Sequence, residues 1–198
     1  MRHLTPILLA AAFLAGQPLA HAQVAEFAVI GGASRLSNAG IGSFDFENPR
    51  EDDVELTDGW RLGFRMTLNN WRFLGHEFGY AYNRTKLKVG SDEAGMAIHQ
   101  GFYNFLAYAT PEGTFIRPFA TGGVHFANYT PPGISVTQGG GDTKFGVNYG
   151  GGLKIRVSHN LMLRFDVRDY LTGKPFDLPG QRGKLHQLEI AVGLGIAL

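Results

Sequence analysis

The residues of this sequence best suited to chemistry are charged side chains at alternate positions. Arg164, Asp166 and Arg168 follow one another at every second residue, and Glu189 lies in a second stretch with the same spacing. Alternate residues of a β-strand project from one face, so the run predicts a carboxylate between two guanidinium groups. Such a cluster can act in catalysis or carry protons, but in the interior of a protein it is ordinarily an ion-pair network.

Other charged residues at alternate positions extend this cluster. The set predicted to form one structural ion-pair network in the lumen is Arg61, Arg65, Glu77, Lys154, Arg156, Arg164, Asp166, Arg168 and Glu189. The set contains both signs of charge, and buried charges must pair, because an unpaired buried ion costs several kcal/mol. We therefore assign these residues a structural role and predict no catalytic residue.

Histidines and cysteines predict no metal site. Cysteine is absent. The histidines that follow the N-terminal segment are scattered over different predicted strands and turns: His76, His99, His125, His159 and His186. None of them forms a pair at the spacing of a metal site, so each is interpreted as a structural or interfacial residue.

Two further segments resemble ligand-binding loops only in composition. Residues 45–58 hold seven of the 17 acidic residues and could bridge a divalent cation to lipopolysaccharide phosphates. Their spacing matches no EF-hand and is typical of a solvated surface loop. The run Gly139–Gly141 lacks the lysine and the following helix of a phosphate-binding loop. We expect no metal and no cofactor.

Alternation with a period of two predicts the elements that position the charged residues. Trp60, Leu62 and Phe64 share one face of a strand, while Arg61 and Arg65 share the other. The pattern predicts eight strands, most of them roughly 9–13 residues long, which is about the length that a tilted transmembrane strand needs. They cover residues 26–36, 60–68, 73–85, 98–109, 115–128, 147–157, 161–167 and 188–198. The pattern leaves the facing of strand 98–109 open.

The connections between these strands alternate in length. Short connections cover residues 69–72, 110–114 and 158–160. Long polar connections cover residues 37–58, 86–97, 129–142 and 171–187. This order predicts an all-β fold, an antiparallel up-and-down barrel with both termini in the periplasm and four extracellular loops.

The N-terminus predicts export. Arg2 precedes an apolar stretch at residues 7–15, and the small residues of Ala20–Ala22 follow Pro18. The apolar stretch is shorter than the roughly 20 residues that span a bilayer. We predict a signal peptide over residues 1–22, cleaved after Ala22, and a barrel domain over residues 23–198.

Composition and aromatic content favour a membrane barrel over a soluble one. The net charge of +1 excludes a general nucleic-acid-binding surface, and hydrophobic residues make up 44% of the chain. Glycine, at 28 of 198 residues, is about twice as frequent as its typical share of roughly 7%. A soluble, lipocalin-like barrel would turn its apolar face inward around a ligand. Aromatic residues on the apolar face of nearly every strand are instead typical of the interfacial girdles of a membrane barrel.

Several stretches resemble the outer-membrane β-barrel domain family, which includes the OmpA barrel domain and the opacity-type proteins. They are Arg117–Val124, Asn148–Lys154 and Leu163–Tyr170. The terminal strand, ending in Leu198, resembles the segment that the outer-membrane insertion machinery recognises, although that segment usually ends in an aromatic residue. The resemblance implies an outer-membrane location and says almost nothing about activity.

Three functions remain open. The leading hypothesis is a monomeric, non-enzymatic barrel with a plugged polar lumen, whose four extracellular loops contact outer-membrane lipids, lipopolysaccharide or other surfaces. A narrow, porin-like channel for small solutes is the second. A lipid-modifying enzyme is the third, because Arg35–Gly40 resembles a short run of the lipid A 3-O-deacylases. That family has a histidine two residues before the serine, where this chain has Arg35.

Overall fold

The computed structural model describes residues 24–134 and 140–198, and most of these residues belong to β-strands. The predicted signal peptide, residues 1–22, lies outside the described residues. The strands in chain order are β1 (Val24–Ser37), β2 (Gly40–Gly42), β3 (Val54–Leu56), β4 (Gly59–Trp71), β5 (Leu74–Val89), β6 (Asp92–Tyr108), β7 (Ile116–Thr130), β8 (Asp142–Arg156), β9 (Leu161–Thr172) and β10 (Leu185–Ala197).

Eight of these strands close into an antiparallel barrel. Each long strand pairs with its neighbour in the chain, and β1 closes the barrel by pairing with both β4 and β10. The short strands β2 and β3 form an extension on the edge of β5. The predicted eight-stranded up-and-down barrel is therefore confirmed. Among the described residues, no helix is long and apolar enough to cross a membrane.

The apolar face of the strands points outward, as predicted. Arg61 and Arg65 are each only 3% exposed inside the barrel, whereas Trp60 is 52% and Leu62 51% exposed on the outer wall. An apolar outer wall and a polar interior are the reverse of a soluble ligand carrier. This arrangement excludes the lipocalin-like alternative.

The structure settles the facing of the strand that the sequence left open. In β6, Phe102 and Leu106 are buried in the interior, while Tyr103 and Phe105 lie exposed on the outer wall. Both faces of this strand carry aromatic rings, and for this reason alternation alone could not assign them.

One predicted loop is wrong. Residues 86–97 do not form a long connection, because β5 and β6 stay paired as far as Val89 and Asp92. The turn is only Gly90 and Ser91, and Gly90 takes a positive φ of 59°. The outer face of this part of the hairpin carries Lys86 and Lys88, while Leu87 and Met96 pack inside the mouth. Its apolar residues therefore point inward, the reverse of the pattern that marked the other strands. Three long connections and one extended hairpin therefore occupy this end of the barrel.

The two ends of the barrel differ in their connections. We call the end with the connections 72–73, 109–115 and 157–160 the turn end, where Val24 and Ala197 also lie. The opposite end is the loop end. There, the first loop (residues 38–58) contains β2 and β3, and the last loop (residues 173–184) contains a single 3₁₀ turn at Pro175–Asp177.

Candidate functional site: the barrel interior and its mouth

Seven charged residues meet in the middle of the barrel and form what we call the lumen cluster. Alternate residues of a strand face opposite sides of the barrel wall, and these seven occupy inward-facing positions, which we call their strand parity. All seven are buried: Arg61 and Arg65 from β4, Glu77 from β5, Arg164, Asp166 and Arg168 from β9, and Glu189 from β10. The structure thus brings together seven of the nine residues that the sequence analysis placed in one network.

Asp166 is the centre of the lumen cluster. Its Oδ1 lies 2.5 Å from Nη1 of Arg65 and 3.0 Å from Nη2 of Arg168. Its Oδ2 lies 2.8 Å from Nε of Arg164. Three guanidinium groups therefore converge on one carboxylate.

The two glutamates complete the lumen cluster. Glu77 lies 2.6 Å from Nη1 of Arg164 and 2.7 Å from Nη2 of Arg168, and it accepts a hydrogen bond from the hydroxyl of Thr67 at 3.0 Å. Glu189 pairs with Arg65 and lies 3.3 Å from Nη2 of Arg61. Every carboxylate in the cluster therefore contacts at least two arginines.

Aromatic rings pack against the arginines of the cluster. The guanidinium carbon of Arg61 lies 4.6 Å from the ring centre of Tyr170, and that of Arg164 lies 4.9 Å from the ring centre of Phe119. The Tyr170 hydroxyl also donates to Glu189 at 3.0 Å. These cation–π contacts add attraction in a cluster that has four arginines for three carboxylates.

Lys154 lies apart from the lumen cluster, nearer the turn end. Its ammonium group pairs with Glu26 and lies 2.8 Å from the hydroxyl oxygen of Tyr108. Arg117 stacks on the same tyrosine, 3.4 Å from its ring centre. Sequence analysis missed Glu26, because β1 is apolar on both faces around it and gives no clear parity.

Arg156 is a correction to the predicted network. It lies at the last residue of β8, is exposed, and borders a small cavity at the turn end. Arg156 faces the same side of the strand as Lys154. Because β8 ends at Arg156, however, its side chain is exposed to solvent and has no buried partner among the residues that the structure describes. We exclude it from the lumen cluster.

A belt of uncharged amides lies between the lumen cluster and the loop end. Gln100 donates to Gln187 at 2.6 Å, and Gln187 donates to the hydroxyl of Ser34 at 2.6 Å and to Asn83 at 3.0 Å. All four residues are buried. The search for charges missed this belt, although Gln187 has the same strand parity as Glu189.

An apolar layer, which we call the mouth plug, fills the barrel above this belt. Part of the first loop folds into the mouth and packs against inward-facing residues of the wall. The buried members are Ile41, Val54, Leu56, Met96, Ile98, Ala127, Tyr129 and Leu185. The expectation of a polar lumen therefore fits the middle of the interior, where the charged cluster lies, and not its mouth, which is apolar.

Polar contacts tie the first and last loops together over the mouth plug. The ammonium group of Lys174 is buried, pairs with Glu51 and donates to Oδ1 of Asn38 at 3.2 Å. Gln181 donates to the backbone carbonyl of Ile41 at 2.8 Å, and the backbone N–H of Ser43 donates to the carbonyl of Pro179 at 3.0 Å. We call these contacts the mouth lock.

The mouth lock is expected to weaken in acid. The hydrogen bond from Lys174 lowers the pKa of Glu51 below its ordinary value of 4.5. A carboxyl group whose pKa is depressed on folding contributes stability above its unfolded pKa and loses that contribution as the pH falls through the folded pKa. As the pH falls below that ordinary value, we expect faster amide hydrogen exchange in residues 38–58, after correction for the intrinsic pH dependence.

The variant Glu51→Gln gives the matched test of this pH response. It should show the faster exchange at neutral pH and little further change in acid, because the titrating group is gone. Exchange in Glu51→Gln that still accelerates in acid as in the parent protein would show that another group is responsible.

The histidines remain dispersed in the structure. His76 and His99 form outer-wall hydrogen bonds to Tyr103 at 2.7 Å and to Tyr80 at 2.5 Å. His125 is buried in the interior, and His159 is exposed at the turn end. Within the described ranges, no three His, Cys, Asp or Glu residues lie close enough together to hold a metal ion.

The run that resembles a deacylase motif lies at a strand end. Ser37 is the last residue of β1 and pairs in register with His186, whose Nδ1 lies 2.9 Å from Oδ2 of Asp169. In the part of the chain that the structure describes, Ser37 has no side-chain hydrogen bond to His186. Asn38 takes a positive φ of 54° and donates to the carbonyl of Lys184 at 2.8 Å, as a structural turn residue would.

Comparison with known proteins agrees with this architecture. The crystal structure of OprG from Pseudomonas aeruginosa is similar, with a TM-score of 0.63 and 13% identity over 89% of this chain and 97% of that one. The barrel domain of OprF from the same organism has a TM-score of 0.54 and 13% identity, over 89% and 98% of the two chains. Neisserial surface protein A has a TM-score of 0.54 and 15% identity, over 87% and 96%. At these identities the likeness concerns the fold alone.

The sequence itself shows the family. A search of curated proteins gives no match. Residues 7–196 match the family described as the outer membrane protein beta-barrel domain, which is nearly the whole chain. With its closed barrel, apolar outer wall and outer-membrane structural neighbours, the chain belongs to the outer membrane protein beta-barrel domain family and resides in the cell outer membrane.

Proposed function

We propose that the protein is a closed, non-conducting and non-enzymatic barrel, whose loop end faces the cell exterior and carries a structural or surface-interaction role. The observation that carries this proposal is the filling of the interior along its length. The Lys154–Glu26 pair, the lumen cluster, the amide belt and the mouth plug follow one another from the turn end to the loop end.

The dimensions of the interior support closure. An eight-stranded barrel has an interior just wide enough for its own side chains. The cavity beside Arg61, Arg65 and Glu189 has a volume of about 10 Å³, which is room for about one water molecule. A hydrated ion would have to displace both paired charges and the apolar mouth plug.

A narrow channel is the alternative that conductance measurements decide. We expect the full-length mature protein, reconstituted in planar bilayers, to give no steady single-channel steps at moderate voltage. A conducting porin inserted by the same procedure is the positive control. Steady steps of uniform size from the purified barrel would contradict the closed interior and favour the channel.

The proposed sidedness follows from barrel architecture. Membrane barrels of this type have short periplasmic turns and longer extracellular loops, so we place the loop end outside. The first loop then presents Phe44 and Phe46, both exposed, beside the acidic residues of the same loop. The sequence has no cysteine, so single cysteines can be placed at each end. A membrane-impermeant maleimide on intact cells should label Lys88→Cys in the extended hairpin and leave His159→Cys at the turn end unlabelled. The reverse pattern would overturn the sidedness.

The non-enzymatic part of the proposal has its own test. Incubation of the folded barrel with lipid A, followed by mass spectrometry of released fatty acid, should give no product above a blank. The variant Ser37→Ala is the matched control. Release that depends on Ser37 would establish hydrolase chemistry at the loop end of β1.

The remaining partners are also proposals. The final strand, β10, is amphipathic, with Ile190, Val192 and Leu194 on the outer wall and Glu189 inside. This pattern supports recognition of the terminal strand by the outer-membrane insertion machinery. Closure of the barrel within one chain, by pairing of β1 with β10, supports a monomer.

A further inference from the structure

The outer wall of the barrel carries an apolar cleft centred on Gly101. In the barrel register, one outward row runs from Phe64 through Tyr80, Gly101 and Phe126 to Phe145. Among the described residues of this row, Gly101 alone has no side chain, and the edge of the Phe126 ring lies over it. The cleft has a volume of about 690 Å³, which is within the usual range of ligand pockets.

A polar row borders the cleft on the side of the loop end. On β5 to β8 the next outward row of the register is Tyr82, His99, Asn128 and Thr143, and its β4 member is the apolar Leu62. His99 is hydrogen-bonded to Tyr80 at 2.5 Å, and Asn128 donates to Thr143 at 2.9 Å. Polar and aromatic side chains of this kind lie where hydrocarbon gives way to lipid head groups. The cleft therefore lies just inside the hydrocarbon boundary.

A basic side chain lies beyond this boundary on the same strand. Arg84 is exposed on the outer face of β5 and pairs in register with Trp60. Among the described residues Arg84 forms no ion pair, whereas the neighbouring Lys86 lies 2.7 Å from Glu93. Arg84 follows Tyr80 by four residues, about 13 Å along the strand, which is about 10 Å of membrane depth at the usual strand tilt.

We infer that this outer-wall surface binds one molecule of lipid A, with an acyl chain in the cleft and a phosphate group at Arg84. The occupant must be apolar at the depth of Gly101, hydrogen-bonding at the depth of His99 and anionic at the depth of Arg84. A phosphorylated glycolipid with several acyl chains has this order of groups. The inference deepens the proposed function and rests on its sidedness, since lipid A occupies the outer leaflet, but it does not require a closed interior.

Native mass spectrometry of the mature barrel in detergent tests this inference. We expect one retained molecule of bis-phosphorylated lipid A, and weaker retention of phosphatidylglycerol with acyl chains of matched length. Arg84→Gln should weaken lipid A binding by about fivefold, the order expected for one interfacial charge contact. Gly101→Leu, which fills the cleft, should weaken the binding of both lipids.

Two variants elsewhere on the outer wall are matched controls. Arg35 is an exposed outward arginine at the loop end of β1, and Gly31 is an outward glycine of β1 where an added Cβ would make only ordinary van der Waals contacts. Arg35→Gln and Gly31→Leu should bind lipid A as the parent protein does. A side chain at residue 101 displaces the Phe126 ring, so heat-modifiable gel mobility must first show that Gly101→Leu is folded.

The outcomes separate this inference from the others. Equal loss of lipid A in Arg84→Gln and Arg35→Gln would mean diffuse charge attraction and would overturn the site. Equal retention of phosphatidylglycerol and lipid A would overturn the identity of the ligand. Because Arg84 is exposed, Arg84→Gln remains a valid test if Gly101→Leu does not fold. Conductance in planar bilayers would contradict the closed interior but would not affect the lipid A site. Labelling of the turn end on intact cells would contradict the sidedness on which the lipid A site rests.

Discussion

Replacement of Asp166 with asparagine is expected to lower the free energy of unfolding of the barrel by about 3–5 kcal/mol. The carboxylate lies within 3.0 Å of Arg65, Arg164 and Arg168, and all three arginines are buried. Its neutralisation would leave four arginines in the lumen cluster against two carboxylates. Urea titration of the barrel in lipid vesicles, followed by tryptophan fluorescence, measures the change.

Two variants make this expectation specific. Glu93→Gln removes a carboxylate whose partner, Lys86, is exposed, and it should cost less than about 1 kcal/mol. The double variant Asp166→Asn/Arg164→Met should recover part of the loss, because it removes one of the charges left without a partner. A loss below about 1 kcal/mol in Asp166→Asn alone would show that water reaches the cluster and screens it.

The fold was predictable because a membrane barrel imposes two strong sequence patterns. Lipid on one side and a polar interior on the other force alternation, which is clear at Trp60, Arg61 and Leu62. The order of short and long connections then indicates the up-and-down topology. The extended hairpin was missed because its strands continue beyond the membrane. There, residues such as Lys86 and Lys88 face neither lipid nor the polar interior of the barrel.

The lumen cluster was largely predictable for the same reason. A charged side chain on the polar face of a membrane strand points into the barrel interior, where burial without an oppositely charged partner is costly. Parity alone therefore identified Arg65, Glu77 and Asp166. It failed at Arg156, because parity does not say where a strand leaves the barrel, and at Glu26, where both faces of the strand are apolar.

The mouth plug could not be predicted from alternation. Ile41, Val54 and Leu56 belong to strands of three residues, too short for a periodic pattern, and they lie in the most acidic part of the chain. They form strands because β3 adds to the edge of β5, which is a tertiary contact. The amide belt also could not be predicted, because its neutral side chains are not marked by charge in the sequence.

The mouth plug leads to the second large effect, the release of the loops by Ile41→Asp. Ile41 is 0% exposed, among the apolar residues of the plug. A carboxylate placed there without a partner costs several kcal/mol, which exceeds the stability expected of a local loop structure. The first loop should therefore leave the mouth, while the hydrogen-bonded wall of the barrel stays closed.

Limited trypsin digestion measures this release. Arg50 is 74% exposed in the first loop, but cleavage there requires the surrounding backbone to open. We expect cleavage after Arg50 to become at least about tenfold faster in Ile41→Asp, as the open form becomes dominant, with heat-modifiable mobility unchanged. The matched control is Phe46→Asp, at a position of the same loop that is 78% exposed, which should be cleaved at the parental rate.

The two variants together decide what holds the loop in place. Both add one negative charge to a loop that is already acidic, so equal acceleration would mean that charge repulsion opens it. Acceleration only in Ile41→Asp would mean that burial of apolar side chains in the mouth fixes the first loop. Loss of heat-modifiable mobility in Ile41→Asp would contradict the expectation in another way, because the barrel wall would then depend on its plug. The expected result makes the loop end a unit that can open while the lumen cluster below it stays paired.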